Sequence, residues 1–89
     1  MTRLEVYFSG SVQGVGFRYT TKQVSRSFEV AGTVQNLPDG RVKLVCEGTE
    51  SELLQFIESI TTTTYGRVAE TEVNRCKSTG EFNGFEILR

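Results

Sequence analysis

The residues with the clearest chemical potential lie in one run, Gly10-Ser11-Val12-Gln13-Gly14-Val15-Gly16-Phe17-Arg18. Gly14 and Gly16, two residues apart, can take positive φ and turn successive N–H groups into one concavity. Arg18 follows where a helix is predicted to begin, and a helix start already favours anions. The chemistry this suggests is capture of one phosphate-sized anion, closed by a bidentate cation. Two commoner phosphate motifs are excluded. A Walker loop would end in Gly-Lys-Ser/Thr, where Phe17-Arg18-Tyr19 stands, and a dinucleotide fingerprint would need a third glycine at Tyr19. On these residues alone, a glycine-rich strand-to-helix turn with a solvent-exposed arginine is an equally good account.

Other chemistries find little support. The chain has no histidine, which removes the commonest general base and the commonest zinc ligand together. Cys46 and Cys76 are far apart, without Cys-x-x-Cys spacing, and read as small strand residues. No metal and no cofactor are expected. The net charge of −1 and the absence of a basic run argue against a nucleic-acid surface. No apolar run approaches a membrane span and no signal peptide pattern is present, so a soluble, cytoplasmic protein is expected. Asp39 and Glu47 read as turn and strand-edge charges rather than an acid/base pair, and Tyr19 and Tyr65 as packing or rim residues.

The elements that must position the run follow from periodicity. At 89 residues the chain suits one domain, taken as 1–89. Leu4, Val6 and Phe8 alternate with Glu5, Tyr7 and Ser9, which predicts a half-buried strand entering the glycine run. From Phe17 the spacing becomes helical through Thr21, Val24 and Phe28. Thr20, Thr21 and Val24 are weak helix formers, so tertiary packing must hold this helix. Val30 to Asn36 and Val42 to Glu47 form a hairpin about Pro38-Asp39-Gly40. Thr49 and Glu52 have capping-box spacing before a helix with a Leu53, Phe56, Ile57 and Ile60 stripe. The threonines 61–64 are expected to end that helix and serve as a connection. A fourth strand runs through Ala69 to Asn74, and Asn83-Gly84 turns the chain into a short last strand with Phe85 and Ile87.

The order strand, helix, strand, strand, helix, strand predicts an α+β fold, a ferredoxin-like split β-α-β sandwich (βαββαβ plus the short C-terminal strand) with two helices on one face of an antiparallel sheet. The third and fourth strands would then flank the first. Cys46 and Cys76 would be two strand spacings apart on opposite faces, which predicts two free thiols.

The glycine run resembles the signature of the acylphosphatases. Gly32-x-Val34-x-Asn36-x-x-Asp39-Gly40 is similar to that family's second block, and weaker likeness continues through Glu47-Gly48, Gly66-x-x-Ala69 and Phe82-x-x-Phe85-x-Ile87. The resemblance implies metal-free hydrolysis of a small-molecule acyl phosphate to a carboxylate and inorganic phosphate; separately, nothing in the sequence predicts a specific dimer, and a monomer is expected. It implies that Arg18 binds the phosphate and stabilises the transition state, and that Asn36 orients the attacking water. It also implies that the backbone N–H groups of Gln13, Gly14, Val15, Gly16 and Phe17 complete the cradle. The chemistry is compatible with the missing histidine, because a carboxylate leaving group needs no proton. An alternative is a non-catalytic phosphate or acyl-phosphate binding module. Glu29 and Ser25 stand where the family favours glycine and alanine, so the first helix is expected to end without a glycine cap.

Overall fold

The computed structural model describes residues 1–89. The elements are β1 Thr2–Gly10, α1 Phe17–Ser25, β2 Val30–Asn36, β3 Val42–Gly48, α2 Glu50–Thr63, β4 Val68–Lys77 and β5 Phe85–Leu88. The sheet order is β4-β1-β3-β2-β5, so β3 and β4 flank β1 as the split β-α-β topology requires. Four strands pair antiparallel, but β5 runs parallel to β2, from Gly32 opposite Phe85 to Gln35 opposite Leu88. The sheet is therefore mixed. Alternation within a four-residue strand says which face its side chains take, not which way it runs.

The alternating residues form one core. Leu4, Val6 and Phe8 of β1 join Val34, Val42, Leu44 and Cys46 of the neighbouring strands and Leu53, Phe56, Ile57 and Ile60 of α2. The Phe8 and Phe17 rings meet edge-on at 5.2 Å, which fixes the start of α1 on β1. Burying one such side chain contributes ~1.5–3 kcal/mol. Packing of this size holds α1 against the weak propensity of Thr20, Thr21 and Val24.

Helix α1 ends without a left-handed cap, as the Glu29 position predicts: no non-glycine residue has positive φ. Instead the N–H groups of Arg26, Ser27 and Phe28 donate to the carbonyls of Gln23, Val24 and Ser25, a tightened last turn. Phe28 thus lies beyond the helix while packing on the core, and its ring is 6.0 Å from that of Phe56. The Glu29 N–H donates to Glu52 Oε1 at 2.8 Å.

Three further expectations need correction. Only half of the capping box forms: the Glu52 N–H donates to Thr49 Oγ1 at 3.4 Å, while the Glu52 carboxylate is taken by Glu29. The threonine run is helical through Thr63 rather than a connection. Thr61 and Thr64 hydroxyls donate to the carbonyls of Glu58 and Ile60, a local bond that makes β-branched residues acceptable in a last turn. Glu47 is not a solvated strand-edge charge; it is 7% exposed, because residues 78–80 fold over it. Cys46 and Cys76 are free, opposite Leu4 and Arg3 on either side of β1.

Candidate active site

The anion-binding run connects β1 to α1, and its entrance is clamped to the start of β4. The Ser11 N–H donates to the Arg67 carbonyl at 2.9 Å. Gly10 has φ 118°, and a Cβ there would stand 2.6 Å from the same carbonyl oxygen, so only glycine fits. Val12 is buried and anchors the loop on the core. The Gln13 side chain turns away toward the β2–β3 hairpin, donating through Nε2 to the carbonyls of Leu37 and Arg41.

Gly14 and Gly16 have φ of 75° and 77°, the positive values their types allow, with no heavy atom near a would-be Cβ. Gly16 is the N-cap of α1, so the helix start has no side-chain cap and no acidic residue in its first turn. The positive end of the helix dipole is thereby left uncompensated by the protein. Arg18 Nη1 donates to the Leu88 carbonyl at 3.1 Å. Arg3, Arg41 and Arg75 are each held by carboxylates, whereas Arg18 has no ion-pair partner.

Val12, Gly14, Gly16, Phe17, Arg18 and Asn36 line one cleft together with Tyr19, Ile87 and Arg89, and no acidic residue lines it. Asn36 reaches it from the last position of β2, paired with Val42 across the hairpin. Its Oδ1 is buried and has no hydrogen-bond partner. An amide oxygen in that state is an acceptor in want of a donor, which a bound water can supply. Gln13 and Val15 do not line the cleft; the Gln13 amide is engaged with the hairpin and Val15 is 41% exposed.

Asp39 serves the turn, as expected. The Arg41 N–H and Nε donate to its carboxylate at 3.0 and 2.8 Å and hold its pKa below the ordinary value. No three His, Cys, Asp or Glu side chains are grouped where they could hold a metal. Sequence reasoning missed Ile87, Arg89 and the Leu88 carbonyl. All three depend on β5 lying parallel beside β2, and a backbone acceptor leaves no signal in residue type.

Comparison with known proteins bears on the family and the fold. The acylphosphatase family model matches residues 4–87. A protein named acylphosphatase from Acaryochloris marina is 41% identical over 87 residues, covering 97% of this chain and 92% of its own. Another from Archaeoglobus fulgidus is 50% identical over 60 residues, 67% of each chain. The crystal structure of acylphosphatase from Bacillus subtilis superposes with a TM-score of 0.91 at 32% identity, covering both chains completely. A match along nearly the whole sequence, on the same fold, places this chain in the acylphosphatase family.

Proposed function

We propose that the chain hydrolyses acyl phosphates in the cleft between Gly14, Arg18 and Asn36, acting as a monomer of one domain, 1–89, in the cytoplasm. The phosphoryl group sits on the uncapped start of α1, and the Arg18 guanidinium carries the charge that builds on its oxygens. A water accepted by Asn36 Oδ1 attacks phosphorus opposite the acyl oxygen. As the new P–O bond forms, the bond to the acyl oxygen breaks, its electron pair leaves with the carboxylate, and the water's proton passes to a phosphate oxygen. Asn36 cannot take that proton, so it only orients the nucleophile. With a carboxylate leaving group the transition state is loose, and the protein's part is positioning and charge stabilisation. One preoriented donor of this kind is worth about 3 kcal/mol of barrier.

The observation that carries this reading is the buried, unpartnered Asn36 Oδ1 in the same cleft as an arginine without an ion-pair partner. A pure phosphate binder has no use for an unpaired acceptor beside its anion. Action without a nucleic-acid partner is part of the same proposal. It is supported by Tyr7, an aromatic on the outer sheet face, whose ring the Arg41 guanidinium covers at 4.6 Å. No helix is long and apolar enough to cross a membrane.

The test is hydrolysis of benzoyl phosphate by the purified chain in the presence of a chelator. Turnover is expected, and Asn36→Ala is expected to lower it at least 100-fold with an unchanged circular dichroism spectrum. Tight phosphate binding with no turnover on any acyl phosphate would make the cleft a binding module instead.

A further inference from the structure

We infer that the Gln13 side chain sets the spacing between the anion-binding loop and Asn36, and so acts as a positioning residue for water attack; the inference rests on the hydrolytic reading of the cleft. Gln13 Nε2 donates to the Leu37 carbonyl at 2.8 Å and to the Arg41 carbonyl at 2.9 Å. Those carbonyls close the β2–β3 turn themselves, since the Leu37 N–H donates to the Arg41 oxygen at 2.8 Å and the Gly40 N–H to the Leu37 oxygen at 3.1 Å. The turn is braced in addition by the Asp39–Arg41 pair and by the Arg41 guanidinium over the Tyr7 ring of β1.

Gln13 immediately precedes Gly14, and Leu37 immediately follows Asn36. One carboxamide therefore joins the two halves of the cleft with a single residue intervening on neither side. No other hydrogen bond connects residues 11–16 with the hairpin. Two carbonyl acceptors facing one nitrogen require two donated hydrogens, which a primary amide has and a carboxylate, thioether or alkyl chain lacks. A misplacement of about 1 Å between nucleophile and electrophile costs on the order of 100-fold in rate.

The test compares Gln13→Met in the unchanged chain and in Asn36→Ala, assayed on benzoyl phosphate at high enzyme concentration. In the unchanged chain kcat should fall roughly 10- to 100-fold, while inhibition by inorganic phosphate moves less than about 3-fold, because Arg18 and the loop amides remain. In the Asn36→Ala background the same substitution should cost less than about 3-fold, since the water it places is already lost. Unchanged kcat in Gln13→Met, or an equal cost in both backgrounds, would overturn the inference. Retained activity in Asn36→Ala would instead overturn the hydrolytic reading beneath it. Should Gln13→Met fail to fold, Gln13→Glu decides the matter. Its protonated carboxyl can donate one hydrogen bond, so its activity relative to the unchanged chain should rise as pH falls toward about 4, and a flat ratio would sink the inference.

Discussion

Arg18 Nη1 donates to the backbone carbonyl of Leu88 at 3.1 Å, which ties the first turn of α1 to the end of β5. The bond uses one corner of the guanidinium and aims the group, leaving donors for an anion in the cleft. Arg18→Ala should lower turnover of benzoyl phosphate roughly 100- to 1,000-fold. Arg18→Lys keeps the charge but cannot hold a carbonyl and a bidentate anion together, so at least a roughly 10-fold loss is expected. Both variants should weaken inhibition by inorganic phosphate. Normal activity in Arg18→Ala, with a native circular dichroism spectrum, would refute the assignment.

Asn36 should show activity and stability moving in opposite directions. Its buried Oδ1 has no partner within the protein and takes its hydrogen bond from water, so the amide contributes little to the fold. Asn36→Leu removes that acceptor at the end of β2, where its neighbour across the hairpin is Val42. Stability in urea should stay level or rise by about 1 kcal/mol while turnover falls at least 100-fold. A large loss of stability would mean that the amide supports the fold rather than the reaction.

These two residues show what was legible beforehand. Arg18 stands out by residue type, following two glycines at a helix start, but an exposed turn arginine accounts for those residues equally well until family likeness is added, and Asn36 is singled out only through that likeness. All five strands and both helices followed from alternation such as that of Leu4, Val6 and Phe8 and from helical spacing such as the Leu53–Ile60 stripe, since the two periods differ. What escaped depends on contacts across long sequence separations. The direction of β5, the Leu88 carbonyl and the Gln13 strut all arise from packing between distant elements, which no local pattern reports. The same holds for Glu47, whose alternation put it on the open face while a loop thirty residues later covers it.

Glu47 makes stability depend on pH. Burial pushes its carboxyl up, but the N–H groups of Thr79 and Gly80 and the hydroxyls of Ser78 and Thr79 outweigh this and hold its pKa at about 2, against an ordinary 4.5. A carboxyl depressed in the folded state contributes fully above its unfolded pKa and loses that contribution as pH falls toward the folded value. Glu47→Gln should therefore cost about 2 kcal/mol at pH 7, with the gap to the unchanged chain closing between about pH 4.5 and 2. Urea denaturation across that range measures it. A gap that stays constant with pH would show that the carboxylate charge is not what holds the 78–80 loop.

The two thiols should differ in reactivity as their surroundings differ. Cys46 is fully buried in the core, and burial, helped by the nearby Glu47 charge, pushes its pKa up to about 12. Thiolate is the nucleophile in disulfide exchange, so Cys46 should react only through opening of the sheet. Cys76 sits half-buried on β4, at one edge of the sheet, on the face opposite Cys46. An aromatic disulfide reagent should therefore modify one thiol quickly in the native chain and two in denaturant. The slow phase should vanish in Cys46→Ala and the fast phase in Cys76→Ala. Because no bridge joins them, a reducing agent should leave both the denaturation midpoint and the activity unchanged. Fast modification of both thiols in the folded protein would mean that the β1–β3 pairing opens far more readily than a core built on Leu4, Val6 and Phe8 allows.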